Sequence, residues 1–427
     1  MATRTVATLH EHVQQFVLEG FSPQFDREAA HPQTNPVWTR LRELGTELWL
    51  DTGDMDDAAA NWTREFTALT TNNTLLNKEV QKGQYDELIA SSARMLKDFG
   101  LDDHEIILEI AFILNARHAL KLVERFDAYV SVEEHTDLAN DLPAAVEYAR
   151  RYHAICPQRF IVKIPFTPAG LLATRVLSMD GIPVNHTLGF SARQNYVIAR
   201  VSRPQFVNVF LGRLNSFVAD NGLGSGELVG EKATLASQAA VRGLREAHGT
   251  PSRQIGASFR SGVQVRDLVG IDVMTMPPKV SRQFLDMKLR PDQIADMVDE
   301  PYQPPLNSDV DPISLRIDSL WQVNDDLVAC VDDLEQENLD TFTPQDLVAF
   351  FHDHGCGDFM VDWTDQQIAT SKAEGKIPKL DNWREQLASG NIALDSLMNL
   401  AGLNSFIGDQ KAMDERVRDV LRKNNLA

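Results

Sequence analysis

Cysteine is scarce in this sequence of 427 residues, which contains only Cys156, Cys330 and Cys356. So few thiols, and an odd number of them, do not suit the disulfide framework of a small secreted protein. Long apolar runs are missing as well. None approaches the length that spans a membrane, and the segment Met1–Val6 has no apolar signal core. We therefore expect a protein of the reducing cytoplasm with no membrane partner.

Positive charge is also in short supply, because 41 lysines and arginines face 61 acidic residues and the formal net charge is -20. Such a surface repels nucleic acids and anionic membranes, so we expect neither as a partner. A phosphorylated ligand would need a local cluster of arginines. The composition is otherwise ordinary for a soluble enzyme, with 43% hydrophobic and 24% charged residues.

The sequence does contain a regular alternation of short apolar segments and helical patterns. Eight candidate strands occur over about 250 residues, which is the size and pattern of a (β/α)8 barrel of the TIM type, in the α/β class. A doubly wound sheet is the alternative. The candidate strands span residues 47–51, 66–69, 127–133, 160–165, 182–188, 205–210, 253–258 and 271–276.

The barrel is expected to occupy residues 46–298 and to carry additions at both ends. Residues 1–45 are predicted to form additional N-terminal helices that pack on the barrel and enclose a loop at Phe21–Pro36. Residues 299–427 are predicted to form a linker, over 299–312, and a C-terminal helical extension. One long helix is predicted over Lys78–Phe99.

Several motifs are too weak to assign a site. The glycine-rich segment Gly222–Lys232 lacks the spacing of a phosphate-binding loop and is interpreted as a flexible loop. The acidic cluster that begins at Asp51 lacks the spacing of a calcium-binding loop. His352, His354 and Cys356 have no clear fourth ligand, so an ordinary loop is favoured over a zinc site.

The most informative single residue is Lys163, which lies inside the apolar strand candidate Phe160–Pro165. Burial disfavours the charged form of an amine and so supplies the neutral nucleophile that Schiff-base chemistry needs. The alternative is a lysine with a buried stem whose ammonium group reaches solvent. The strand alone does not decide between the two.

The other strand candidates also end in polar or ionisable residues. Any one of them has an ordinary explanation, for instance as a turn former. Because catalytic groups of such barrels lie at the carboxyl ends of the strands, together they predict one charged pocket around Lys163. These residues are Asp51, Asn72, Glu133, Asn185, Thr187, Asn208, Ser258 and Arg260.

With these residues in place, the sequence resembles the transaldolase family, the Schiff-base enzymes of the pentose phosphate pathway. The matching segments keep the family's order and approximate spacing over about residues 38–290. They are jointly specific, although few are so alone. The segments are Asp51–Asp54, Thr70–Asn72, Val130–Glu133, Val162–Pro165, Gly181–Leu188, Phe210–Arg213 and Gly256–Arg260.

The resemblance implies a transferase that needs no metal or cofactor and acts on sugar phosphates, with a homodimer as its candidate assembly. Lys163 resembles the Schiff-base nucleophile, and Asp51 resembles the general acid/base for carbon–carbon cleavage. Glu133 and Thr187 resemble the pair that holds the catalytic water. Substrate hydroxyls would be bound by Asn72 and Asn185, and the phosphate by Arg213, Ser258 and Arg260.

The sequence departs from the family pattern at two positions. Asn73 stands where proline is usual, which implies a looser loop at Asn72, and Asn208 stands where serine is usual, which puts the best substrate in question. Phe210 stands where the related fructose-6-phosphate aldolases usually carry tyrosine. The segment Asp362–Ile377 is similar to the family's closing helix. The alternatives are an aldolase that releases dihydroxyacetone and a non-catalytic barrel that binds sugar phosphates.

Overall fold

A computed structural model describes residues 2–25 and 33–426, so part of the predicted loop Phe21–Pro36 lies outside the described residues. Eight parallel strands close into a barrel in the order β1 to β8. The predicted (β/α)8 barrel is therefore confirmed, and the doubly wound sheet is wrong. The strands are β1 Glu47–Asp51, β2 Phe66–Thr70, β3 Tyr129–Glu133, β4 Phe160–Pro165, β5 Val184–Thr187, β6 Phe206–Phe210, β7 Arg253–Ala257 and β8 Val273–Met276.

The strands are apolar along most of their length because both of their faces are covered. Every residue of β4, β5, β6 and β8 is buried. This pattern is typical of parallel strands between a filled interior and a ring of helices. In register, Glu133 of β3 lies beside Lys163 of β4, which in turn lies beside Asn185 of β5. The register therefore brings these three polar residues to one level of the barrel.

Helices connect the strands and extend the chain at both ends. The helices before and within the barrel are α1 Ala2–Leu18, α2 Pro36–Glu43, α3 Met55–Asn61, α4 Asn73–Gln81, α5 Asp86–Leu96, α6 Asp103–Phe126, α7 Leu142–Ile155, α8 Pro168–Met179, α9 Ala192–Val197, α10 Leu211–Asp220, α11 Val229–His248, α12 Gly262–Asp267 and α13 Pro278–Asp286. Those that follow are α14 Asp325–Leu334, α15 Pro344–Asp353, α16 Asp365–Glu374, α17 Arg384–Ala388 and α18 Leu394–Lys423.

Two predicted elements need correction. The single helix predicted over Lys78–Phe99 is divided between α4 and α5, and the break contains Gly83 with a φ of +81°. Only glycine adopts that backbone conformation without strain. The predicted flexible loop Gly222–Lys232 ends early, because α11 begins at Val229 and Gly224 forms a β-bridge with Leu306.

The additions at both ends share a hydrophobic core with the barrel. Helix α1 contributes Leu9, Val13 and Val17, and α18 contributes a longer set that includes Leu397 and Val417. Between the barrel and the later helices, residues 299–312 contain no helix or strand apart from the bridge at Leu306. Within residues 2–25 and 33–426, no helix has the length and apolar character that crossing a membrane requires.

Helix α18 crosses the carboxyl end of the barrel. Near its start, the amide of Asn399 donates to the backbone oxygens of Phe166 and Leu188, at 3.0 and 3.2 Å, just beyond β4 and β5. Near its end, Arg416 pairs with Asp86 at 2.6 Å, on the side of α4 and α5. The helix thus bridges opposite sides of the end at which barrel enzymes carry their chemistry.

Candidate active site

A cavity of about 710 Å³ opens at the carboxyl ends of the strands. The strands deliver the polar residues to it because each strand ends at this face, where the apolar interior gives way to loops. Nine of the predicted site residues line it: Asp51, Asn72, Lys163, Asn185, Asn208, Phe210, Arg213, Ser258 and Arg260. The structure therefore brings them together, whereas Glu133 and Thr187 lie outside the lining.

Lys163 lies deep in this cavity and is only 4% exposed. Its Nζ donates to the backbone oxygen of Thr71 at 3.3 Å and lies 3.7 Å from Oε1 of Glu133. The ring of Phe406, from α18, lies above it with its centroid 5.8 Å from Nζ. The amine is thus flanked by an aromatic ring and one carboxylate, and it is almost fully buried.

Glu133 lies behind Lys163 and is fully enclosed by protein. Its Oε2 accepts a hydrogen bond from the backbone amide of Asn73 at 3.1 Å. Burial raises the pKa of Glu133, and the nearby charge of Lys163 opposes that rise. Thr187 faces the same side of β5 as Asn185. Its buried hydroxyl has no hydrogen-bond partner among the described residues, so it can still hold a small polar group.

Asp51 ends β1 at the edge of the cavity. Its Oδ1 accepts from the hydroxyl of Thr70 at 2.7 Å, and that hydroxyl is also 2.7 Å from the hydroxyl of Thr275. Burial raises the pKa of the Asp51 carboxyl, whereas Lys163 and the Thr70 hydrogen bond lower it. The net rise makes Asp51 a stronger base than an exposed aspartate, which suits proton transfer near neutral pH.

A row of amides forms one wall of the cavity. Asn208 donates to Oδ1 of Asn185 at 3.1 Å, and Asn185 donates to the hydroxyl of Ser131 at 3.1 Å. The same Asn208 accepts from the backbone of Gly189 at 3.4 Å. Because amides both donate and accept, such a wall can match the hydroxyls of a sugar.

The loop after β2 is tied down more firmly than the sequence suggests. Asn72 caps α4 through a 2.9 Å hydrogen bond from Leu75. Asn73 is buried, and its amide donates to the backbone oxygen of Glu134 at 3.3 Å while its backbone donates to Glu133. Asn73 thus binds Glu133 and Glu134, at the end of β3, through hydrogen bonds that a proline could not donate.

The far end of the cavity is positively charged. Arg213 is buried, and its guanidinium lies 5.4 Å from the ring centroids of Phe210 and Phe406. Its Nη1 has no hydrogen-bond partner among the described residues. Desolvation, followed by the charge of Arg260, lowers the pKa of Arg213 to about 10. A buried guanidinium with an unsatisfied nitrogen is a ready site for an anion.

Ser258 and Arg260 complete that end from the loop after β7. Ser258 adopts a left-handed backbone with a φ of +65°, which is unusual for a residue with a side chain and occurs most often at functional turns. A Cβ on Gly212 would lie 2.1 Å from the Ser258 backbone oxygen and 2.7 Å from Cγ of Arg260. The glycine therefore lets this loop approach Arg213.

Sequence reasoning missed several lining residues that lie outside the strand ends. Thr74 and Lys78 belong to α4, Phe406 and Asp409 to α18, and Lys376 follows α16. The Asp409 carboxylate accepts a hydrogen bond from Thr74, which links α18 to α4. Helix α18 therefore covers part of the cavity, and the segment Asp362–Ile377 contributes Lys376 to the lining. Lys78, Lys376 and Asp409 could not be recognised from the sequence, because charged residues in or beside helices are common and form no distinctive pattern.

Two further groups bear on the expected chemistry. Glu134 is buried beside Glu133, neither of its carboxyl oxygens has a partner among the described residues, and burial raises its pKa well above the usual value. Within residues 2–25 and 33–426, no three or more His, Cys, Asp or Glu side chains are grouped to hold a metal. The ring of His354 instead stacks on Phe350, and Cys356 lies beside Cys330.

Comparisons with known proteins agree with this geometry. A family model described as transaldolase/fructose-6-phosphate aldolase matches residues 48–351, more than two thirds of the chain. A transaldolase of Xanthomonas euvesicatoria pv. vesicatoria (strain 85-10) is 29% identical over 246 residues, which cover 56% of this chain and 74% of the relative. A transaldolase of Xanthomonas campestris pv. campestris (strain B100) is 30% identical over 249 residues with the same coverage.

Proposed function

The chain belongs to the transaldolase/fructose-6-phosphate aldolase family, and from that premise we propose that it is a transaldolase. The donor is sedoheptulose 7-phosphate or fructose 6-phosphate, and the acceptor is an aldose phosphate such as glyceraldehyde 3-phosphate or erythrose 4-phosphate. The observation that carries the proposal is the buried Lys163 amine, which lies 3.7 Å from Glu133 and lines the cavity.

The first half of the reaction forms the covalent intermediate. The nitrogen lone pair of Lys163 attacks the ketone carbon, and loss of one water from the resulting carbinolamine gives an imine. Glu133 and Thr187 hold the water and supply or accept the protons of this step. The buried Glu133 is suited to this exchange because burial raises its pKa toward neutrality.

The second half breaks and remakes a carbon–carbon bond. Asp51 takes the proton from the hydroxyl next to the scissile bond, an aldose phosphate leaves, and the bonding electrons enter the protonated imine to give an enamine. The enamine carbon then attacks the aldehyde of the acceptor, and the new alkoxide takes the proton back from Asp51. Hydrolysis of the new imine frees the product and Lys163.

The residues that surround these steps act through binding. Asn72, Asn185 and Asn208 would bind the sugar hydroxyls, and Arg213, Ser258 and Arg260 would bind the phosphate. The arrangement supports this division, since Asn185 and Asn208 are hydrogen-bonded to each other, whereas Arg213 comes from α10 and Arg260 from the loop after β7. Planar guanidinium groups match phosphate through paired hydrogen bonds.

A fructose-6-phosphate aldolase is the second candidate, because the matching family model covers both activities. That enzyme would release dihydroxyacetone and would not transfer it. Phe210 disfavours this alternative, since the resemblance places tyrosine there in those aldolases. The Phe210 ring packs against Phe190 and has no hydroxyl to offer to a reacting group.

Borohydride trapping tests the proposal directly. The protein is incubated with fructose 6-phosphate, reduced and mapped by peptide mass spectrometry, with Lys163→Arg as the control that keeps the charge but has no amine able to form the imine. We expect a three-carbon adduct on Lys163 and none in the variant. Assays with and without glyceraldehyde 3-phosphate then separate transfer from release of dihydroxyacetone. The assignment would be refuted if folded protein gave no adduct with fructose 6-phosphate and none with sedoheptulose 7-phosphate.

A further inference from the structure

The cavity has more positive charge than its lining carboxylates balance. Besides Lys163, four cations line the cavity, and Asp51 and Asp409 are its acidic lining residues: the four cations are Lys78, Arg213, Arg260 and Lys376. Among residues 2–25 and 33–426, none of the four has a carboxylate oxygen within 4 Å. In a chain of net charge -20, such a cluster is unusual and marks a site for an anion.

Lys376 differs from the rest of the cluster because it comes from outside the barrel. It lies in the turn after α16, directly after Gly375, whose φ of +80° and ψ of -147° are open only to glycine. This turn ends α16 and carries the chain to the cavity mouth. The side chain lines the same cavity as Lys163 although the two residues are far apart in sequence.

The electrostatics place Lys376 near both arginines. Desolvation lowers the pKa of the Lys376 ammonium, and the positive charges of Arg213 and Arg260 lower it further, whereas Asp409 raises it. Three cations held close together repel one another in the empty site. An anion that reaches all three relieves that repulsion, so the cluster favours a dianionic group over a neutral one.

We propose that Lys376 is a specificity-determining residue, which binds the phosphate of the sugar substrate together with Arg213 and Arg260. This inference rests on the proposed function for the identity of the ligand, although the anion site itself does not. Lys376 would discriminate phosphorylated from unphosphorylated sugars. Asp409 accepts a hydrogen bond from Thr74, which ties α18 to α4 beside the cluster.

Lys376→Met tests the role because it removes the charge and keeps most of the stem. Lys376→Arg keeps the charge, and Lys372→Met is the matched control, since Lys372 lies on α16 but does not line the cavity. Transfer is measured with glyceraldehyde 3-phosphate and with unphosphorylated glyceraldehyde as acceptors. Binding of inorganic phosphate is measured by calorimetry on the same proteins.

Lys376→Met removes one hydrogen bond between charged groups, so we expect the KM for the phosphorylated acceptor to rise about tenfold. The KM for glyceraldehyde should not change, phosphate binding should weaken to a similar degree, and the arginine variant and the control should resemble the unaltered protein. Equal losses with both acceptors would assign Lys376 to packing and overturn the inference. So would unchanged constants, or an unaltered protein that does not bind phosphate.

The phosphate titration separates this inference from the proposed function. If no adduct forms on Lys163 and no transfer occurs, the transaldolase assignment fails. A loss of phosphate binding in Lys376→Met would still support the anion site. Conversely, normal turnover with unaltered phosphate binding in the variant would overturn only the role of Lys376.

Discussion

The start of α18 is fixed by a buried ion pair whose removal should cost much of the protein's stability. Asp395 is fully buried and takes two hydrogen bonds from Arg193, at 2.7 and 2.8 Å. It takes a third from the hydroxyl of Ser191 at 2.7 Å. Asp395→Asn removes the negative charge with little change of shape and turns an N–H group toward the guanidinium.

The size of the expected loss of stability depends on the contacts that Arg193 keeps in the variant. Breaking a buried pair by removing one partner costs about 3–5 kcal/mol, because the other charge stays buried. Arg193 would keep its 3.0 Å contact with Asp358, so we expect the lower value, about 3 kcal/mol. With a urea slope of about 3 kcal/mol per molar, the midpoint of unfolding should fall by about 1 M.

The assay is equilibrium unfolding in urea, followed by tryptophan fluorescence and by circular dichroism so that coincident curves check for a two-state transition. The control is Asp292→Asn, which removes an exposed ion pair with Arg290 and should leave the midpoint unchanged. The double variant Arg193→Met/Asp395→Leu should lie closer to the unaltered protein than Asp395→Asn does, since Asp358 keeps its partner Arg316. A loss below about 1 kcal/mol for Asp395→Asn, or a double variant that is less stable than Asp395→Asn, would refute the reasoning.

Three further changes have signs that the structure fixes. Because burial raises the pKa of Glu134, its carboxyl keeps a proton in the folded state that the unfolded state releases above about pH 4.5. The free energy of unfolding therefore falls as the pH rises from about 4.5 toward the pKa of the folded state. Glu134→Gln should abolish this fall and be the more stable protein at pH 8; parallel midpoint-against-pH curves would contradict this. Gly402→Ala would place a Cβ 3.3 Å from Nη1 of Arg213 and 3.0 Å from Cδ2 of Leu188. The KM for phosphorylated substrates should therefore rise several-fold while the urea midpoint changes little. An unchanged KM would show that the Arg213 side chain can move aside without losing its contact with the substrate. Asp51→Asn should cut transfer about 10²- to 10⁴-fold while the imine on Lys163 still forms and can be trapped, and loss of trapping would assign Asp51 to the earlier step.

The strands could be predicted because their physical cause is local. Apolar and β-branched residues between polar turns define β4 and β6 without any knowledge of the rest of the chain. The register then followed from the fold class, since parallel strands of a closed barrel end at one face. Lys163, Asp51 and Asn185 could therefore be placed in one cavity from the sequence alone.

The parts that could not be predicted depend on contacts between distant segments. Asp409 reaches Thr74 across 335 positions of the chain, and no local pattern of helical residues reports such a contact. The break between α4 and α5 was missed because a single glycine at Gly83 is compatible with a continuous helix pattern. Glu133 was expected to line the cavity, but it lies behind Lys163. Which of two neighbouring side chains lines a cavity depends on packing, which the sequence does not display.

The pair of threonine hydroxyls beside Asp51 has a consequence for how the site responds to a proton. Each hydroxyl has one hydrogen to donate. When Asp51 is ionised, Thr70 gives its hydrogen to the carboxylate and must receive one from Thr275. When Asp51 is protonated, it can donate to Thr70, and Thr70 can donate to Thr275. The hydroxyl of Thr275 is then free to donate its hydrogen to a group in the cavity. A ligand that touches Thr275 would thus sense the charge of Asp51 at a second point, on the neighbouring strand.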